Sequence, residues 1–267
     1  MIMTDNIYYS IAKKLKLSSD DILFIASDVK KMALDSRANN QMFDANTFIN
    51  SFQEELPKGT LIIPAYTDYL KNGDVFDYDK SKPSTGALSN KTMKRKDFGR
   101  SFDPLHSVFS WGAKSSEIQK LNGKSTLGEG SVFDFLYREK AKMICIDVDF
   151  QDSLTFVHYV EERLKVKYRK AYEWEMIIRE KGKEKKKPIV FFTRRPWVLT
   201  NLHAMQQRMI KHGVVKKIVV GKSNVLFFDI GEIYDFIRQD IQSGKKLYDI
   251  SIIHWGKNIL RKLIKKK

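Results

Sequence analysis

Apolar positions in this chain follow two spacings. Continuous apolar runs occur at 20–27 (DDILFIAS), 59–66 (GTLIIPAY), 142–150 (KMICIDVDF) and 189–193 (IVFFT). Runs of this length predict strands buried on both faces. Apolar residues three and four apart predict helices over 5–16 and 46–56, the latter capped by Asn46 or Thr47. The same spacing predicts a helical piece in KSSEIQKL and a helix in TFVHYVEERLKV. Two more follow, VLTNLHAMQQRMIKHG ending at Gly213 and IGEIYDFIRQDIQSG closed by Gly244. VKKIVVGKSNVLFFD reads as a hairpin with Gly221 to Asn224 in its turn, and 180–188 (EKGKEKKKP) as a charged turn.

Strand 20–27, helix 46–56 and strand 59–66 form a β-α-β unit, which requires parallel strands and a right-handed crossover. The fold class is α/β, a three-layer arrangement around a mixed parallel and antiparallel sheet. Residues 1–250 are expected to form one domain and 251–267 a basic tail.

The 267 residues are 42% hydrophobic and 12% aromatic, enough for a substantial core. No run of 18 apolar residues predicts a membrane-spanning helix. The start lacks the apolar core and cleavage site of a signal peptide. The single cysteine, Cys145, lies in an apolar run and reads as a small core residue. These features predict a cytoplasmic protein. A net charge of +16 favours anionic ligands and disfavours polycations. Nothing resembles a nucleic-acid motif, and the aromatics are not interleaved with the basic runs, so no nucleic acid is expected.

His158 is the residue most in need of an explanation. It sits in an apolar, aromatic segment, with Glu161 and Glu162 three and four positions on, so one carboxylate shares its helical face. With Ser153 or Thr155 as cap, the ring falls in the first turn, where the helix dipole disfavours imidazolium. A neutral imidazole can act as general base. A core histidine bonded to a backbone carbonyl fits the same spacing. Asp147, Asp149 and Asp152 end the preceding strand, the edge where ligands of open α/β sheets bind. DVD at 147–149 is a weak metal signal, and no metal is expected. His106 in FDPLHSVFSWG fits packing or binding equally, and STLGEGSVF (125–133) offers serines and glycines to an anion without being a Walker loop.

Read together, GTLIIPAYT, FDYDKSKPSTGALSN, FDPLHSVFSWG, STLGEGSVFDFL and TFVHYVEE resemble the aminoglycoside 3-N-acetyltransferase (antibiotic N-acetyltransferase) family, in order and at its approximate spacing. The resemblance covers about residues 20–170. It implies the fold of that family, distinct from the GNAT fold, with acetyl-CoA as co-substrate. It implies His158 as catalytic base with Glu161 and Asp149 as acidic partners. It also implies Ser27, His106, Ser107 and Ser131 as coenzyme contacts. Two departures stand out. ASDV (26–29) replaces the family's His-Ser-Ser-Leu, and DVDF replaces its Gly-Val-Gly-like turn.

Aminoglycosides are polycations, and +16 is an unfavourable charge for binding them unless acidic loops make a locally negative pocket. The expected acceptor is therefore an amino sugar, nucleotide-linked, in cell-surface polysaccharide synthesis. The alternatives are an aminoglycoside-resistance enzyme and a non-catalytic basic binding protein. The segment ISIIHWGKNILRKLIKKK has six basic residues and no acidic one from Lys257 to Lys267, which fits peripheral attachment to an anionic membrane at the inner face of the cell.

Overall fold

The computed structural model describes residues 6–251. A 3₁₀ turn (Ile7–Ser10) leads into α1 (Ile11–Lys14), followed by β1 (Ile22–Ser27), α2 (Lys30–Ala38), α3 (Ala45–Glu55) and β2 (Thr60–Pro64). Then come β3 (Val75–Asp77), α4 (Ala87–Thr92), β4 (Gly99–Arg100), β5 (Val108–Gly112) and α5 (Ser115–Gln119). The next stretch comprises α6 (Val132–Arg138), β6 (Lys142–Ile146), α7 (Phe150–Ser153) and α8 (Phe156–Arg163). A long hairpin, β7 (Arg169–Glu180) and β8 (Lys183–Arg194), precedes β9 (Val198–Thr200) and α9 (His203–Lys211). The described chain closes with β10 (Lys216–Val220), β11 (Ser223–Asp229), α10 (Ile230–Gln242) and β12 (Tyr248–Ile250).

Seven strands form the main sheet in the order β10-β11-β6-β1-β2-β5-β4. The three central strands are parallel, with Ile22 opposite Thr60 and Leu23 opposite Lys142. Antiparallel pairs flank them on both sides. Alternation along β1 explains the layers. Leu23 and Ile25 point into one core with Phe48, Ile49 and Phe52 of α3. Phe24 and Ala26 point into the other with Phe135, Val157, Val160 and Ile237 of α6, α8 and α10. The expected three-layer mixed α/β sheet is the observed one. Gly213 (φ 74°) and Gly244 (φ 81°) end α9 and α10 in the left-handed region that favours glycine.

Several boundaries differ from the sequence reading. Asp44, one residue before α3, accepts from Thr47 N at 2.8 Å and is the cap, in place of Asn46 or Thr47. The 180–188 run is a turn only at Lys181–Gly182, and Lys183–Lys187 lie on β8, paired with β7 over twelve positions. The predicted helix at 198–213 begins only at His203, because Val198–Thr200 pair with β12. Helix α2 and strand β7 carried no clear period and were not predicted.

The hairpin and β3 form a second sheet with its own small core around Phe76, Leu105, Met176, Ile178 and Ile189. Arg100 joins it to the main sheet. Its guanidinium donates to Ser107 Oγ at 3.1 Å, Ala65 O at 3.0 Å, Ser81 O at 2.6 Å and Tyr78 O at 3.3 Å. It also stacks over the Phe76 and Phe109 rings at 4.7 and 5.5 Å. Burial lowers its pKa to about 10, so it stays charged at neutral pH. Replacing Arg100 with methionine removes the guanidinium donors from Ser81 O and Tyr78 O, while Ala65 O keeps the Ser107 hydroxyl. We expect a loss of about 3 kcal/mol in urea unfolding. A loss below about 1 kcal/mol would mean that water replaces the guanidinium there.

Candidate active site

Helix α8 starts at the carboxyl edge of the central parallel strands, so its first turn faces the ligand edge of the sheet. His158 is the third residue of α8. Thr155 holds the N-cap position but makes no side-chain cap bond, and Ser153 Oγ donates to Asp149 O instead. The first-turn placement expected for His158 holds, although neither proposed side chain caps the helix.

The ring meets Glu161 one turn later, with Nδ1 2.7 Å from Oε2. Glu161 is 1% exposed and receives Arg169 Nε at 2.6 Å and the Tyr168 hydroxyl at 2.8 Å. Arg169 Nη2 stands 3.0 Å from His158 Nε2 and 2.6 Å from Nδ1, and Nη1 donates to Phe192 O at 3.1 Å. A guanidinium only donates and a carboxylate only accepts. We therefore assign the proton to Nδ1, donated to Glu161, and leave the Nε2 lone pair toward Arg169 and the cavity. Glu162 faces away and receives the Ser125 hydroxyl at 2.8 Å.

Four influences set the charge of His158. Burial, then the Arg169 cation and, less strongly, Arg194 lower its pKa, and Glu161 raises it. The net direction is below the ordinary imidazole value of 6.5. Burial pushes the Glu161 carboxyl up, but His158, Arg169 and Tyr168 outweigh this and keep it ionised. The result is a neutral imidazole with an oriented tautomer, its unprotonated Nε2 facing Arg169 and the cavity, and neutrality is what a general base needs.

The ring opens on a cavity of about 300 Å³ lined also by His106, Leu127, Asp152, Phe192 and Arg194. A second groove of about 490 Å³ runs along the sheet edge from Ser27 and Asp28 past Tyr66 to Ser153 and Thr155. It shares Asp152, Ser153 and Thr155 with the first cavity, so the two are contiguous. A third cleft, of about 620 Å³, carries Asp28, Lys31, Asp147, Asp149 and Lys217.

The predicted residues separate into three groups. His158 and Glu161 are in contact, and His106 lines their cavity. Ser27 lines the adjoining groove. The other three lie elsewhere. Asp149 caps α7, accepting from Asp152 N at 3.3 Å, and lines the third cleft with no contact to His158. The Ser107 hydroxyl is fully buried, donating to Ala65 O at 2.7 Å. Ser131 caps α6, accepting from Asp134 N at 3.3 Å. Loop 125–131 is likewise committed inward. Ser125 binds Leu127 N, Gly128 N and Glu162, and a Cβ on Gly128 would lie 2.4 Å from Glu162 Oε1. That loop faces a carboxylate and is no anion site. Among the described residues no three metal-binding side chains cluster.

Sequence reasoning missed Arg169, Tyr168 and Arg194. They lie on or beside the unread hairpin, and no spacing ties them to His158.

The model for the family described as aminoglycoside 3-N-acetyltransferase matches residues 36–242. This chain belongs to the aminoglycoside 3-N-acetyltransferase family. Several solved structures share its fold. An AAC-IIIb binary complex with CoASH superposes with a TM-score of 0.73 at 17% identity, covering 88% of this chain and 95% of that one. The YokD protein from Bacillus subtilis gives 0.72 at 18% identity over 89% and 98%. AAC-VIa bound to sisomicin gives 0.73 at 15% identity over 88% and 96%. No curated protein sequence gives a significant match. The chain is accordingly an N-acetyltransferase-family protein, an acyltransferase.

Arg169 opposes protonation of His158, and Glu161 favours it. Removing the cation should raise the His158 pKa. In wild type the base form is lost only as pH falls through a value below 6.5, so activity should persist to mildly acidic pH. In Arg169→Gln the same loss should occur at higher pH. Titration of the His158 ring by NMR reads this directly, and an unmoved titration would remove Arg169 from the account.

Proposed function

We propose that this protein transfers an acetyl group from acetyl-CoA to a primary amine of an amino sugar, with His158 as general base. The single observation carrying this reading is the buried His158–Glu161–Arg169 cluster opening on a cavity joined to the sheet-edge groove.

The groove suits the coenzyme's pantetheine arm. Its walls combine Ala26, Pro64 and Val148 with Ser27 and with the carboxylates of Asp28, Asp68 and Asp152, while the Ser84 and Thr85 hydroxyls bond within the protein. Lys31 and Lys217, in the neighbouring cleft, are the cations available to phosphate. When bound, acetyl-CoA supplies an acyl thioester with a good leaving group. The protein's task is to ready the amine. An ammonium cannot attack a carbonyl, so His158 Nε2 must hold the free amine or take its proton. Glu161 fixes the tautomer and stabilises the imidazolium that forms.

Two acceptor readings stand on different observations. The family and its member solved with sisomicin support an aminoglycoside, and this reading leads. A nucleotide- or phosphate-bearing amino sugar is favoured by the cavity, where the Asp152 carboxylate stands beside Arg194 as well as the paired Arg169, in a chain of charge +16. A place in polysaccharide synthesis at the inner membrane face extends that second reading. It rests on the C-terminal segment, which lies outside the described residues.

We expect His158→Ala to bind acetyl-CoA normally and to lose about 10²-fold or more in turnover. Turnover within threefold of wild type would end the assignment. Acetyl transfer measured over a panel of sisomicin-type amines and nucleotide-linked amino sugars should show preference for the former. A preference of about tenfold for the latter would reverse the order of the two readings.

A further inference from the structure

The His106 imidazole lines the same cavity as His158. It is 8% exposed, wedged edge-on between Tyr66 and Phe133 with ring centroids 5.2 and 5.8 Å away. Its backbone N–H is fixed by Asp103 Oδ1 at 2.6 Å. Among the described residues its ring makes no hydrogen bond, and Nδ1 is buried without a partner. Buried polar atoms nearly always find partners, so an exception inside a reaction cavity needs a reason.

The tautomer supplies it. A neutral imidazole has one N–H. Burial holds this ring neutral, its pKa lowered. A proton on Nδ1 would be a buried donor with no acceptor. A proton on Nε2 leaves only an unpaired lone pair at Nδ1, and orphaned acceptors are tolerated better than orphaned donors. Nε2 is absent from the buried, unpaired atoms, so it is the nitrogen open to the cavity. The ring thus presents a single neutral donor to the space that His158 faces.

We propose that His106 is a catalytic residue whose Nε2–H donates to the acyl carbonyl oxygen and holds the negative charge that grows on it. This rests on the N-acetyltransferase reading. The acceptor nitrogen forms its bond to the acyl carbon with its lone pair, and the carbonyl π pair moves onto oxygen beside Nε2–H. That pair returns as the carbon–sulfur bond breaks and its electrons leave on sulfur. The amine proton passes to His158 Nε2 and then to the departing thiolate. His106 stays neutral throughout and gives up no proton. Its role differs from the coenzyme-holding one that the family resemblance implied, because it acts on charge that exists only during transfer.

The test uses the full chain with two variants. His106→Phe fills the same space without a donor, and His106→Gln restores an N–H. Both should bind acetyl-CoA within about threefold of wild type by calorimetry. His106→Phe should lose about 10²-fold in kcat with little change in KM, and His106→Gln should recover about tenfold of that. A readout independent of turnover is the ¹⁵N signal of the His106 ring. It should report the Nε2–H form at pH 7 and shift with acetyl-CoA but not with coenzyme A, which lacks the carbonyl. His106→Phe turning over like wild type, or losing coenzyme affinity in proportion to rate, overturns the proposal. So does an imidazolium at pH 7 or an equal shift with both ligands. If wild type acetylates no amine yet the shift is specific to acetyl-CoA, the donor stands and the acceptor reading fails.

Discussion

The site depends on one buried carboxylate. Glu161 is 1% exposed, and an ion at that depth survives only with its lone pairs filled. Arg169 from β7, Tyr168 from the segment before it, and His158 from its own helix fill them. Removing a partner from such a cluster costs about 3–5 kcal/mol, because the remaining charge is stranded. The hairpin is therefore part of the proposed site, since its Arg169 holds the Glu161 carboxylate that orients His158. A histidine and a glutamate three apart occur on many helices, and here the pair becomes a rigid base because Arg169 anchors the ribbon against it.

The same arginine settles a conflict over the charge of His158. Glu161 alone would favour imidazolium, which cannot accept a proton. Burial and the guanidinium 3.0 Å from Nε2 outweigh it. Orientation and basicity thus come from different neighbours. Glu161 chooses which nitrogen carries the proton, and the Arg169 cation, 3.0 Å from the other nitrogen, opposes its protonation. Because Arg169 also neutralises Glu161, the cluster adds little net charge to the cavity, whose field is left to Asp152 and Arg194.

Much of this was legible in the sequence, and the exceptions have physical causes. The central strands are buried on both faces, so β1, β2 and β6 read as unbroken apolar runs. Helix α8 shows its buried stripe at 156, 157 and 160, and the His158–Glu161 contact follows from helical geometry. The hairpin β7–β8 packs on a small core along part of one face, and its outer end is solvated. Lys183 to Lys186 therefore alternate with nothing apolar and look like a turn. Arg169 was invisible because its partners are joined to it by tertiary structure alone. Ser107 and Ser131, which the family resemblance implied as coenzyme contacts, are bound inside the protein. One is held by Arg100 and Ala65, and the other by an N-cap bond.

The sheet edge shows how a departure from a family pattern can be structurally sound and still reshape binding. Asp147 stands where the family has a glycine-like turn, and its φ of 53° is one that few side chains accept. Its carboxylate explains the tolerance. Oδ1 accepts from Asn224 N at 2.9 Å and meets Lys31 at 3.4 Å, tying the end of β6 to the β10–β11 hairpin. Stiffening the turn in this way brings negative charge to the cleft that Asp28 and Asp149 also line. Lys31, already engaged by Asp147, and Lys217 are the cations that oppose it. An anionic coenzyme approaching this edge meets partly cancelled charges, so the +16 of the whole chain overstates the attraction it feels there. The groove between Ser27 and Thr155 adds the carboxylates of Asp28, Asp68 and Asp152 and, among the described residues, no cation, so an anion held there depends on its apolar and hydroxyl-bearing walls more than on charge.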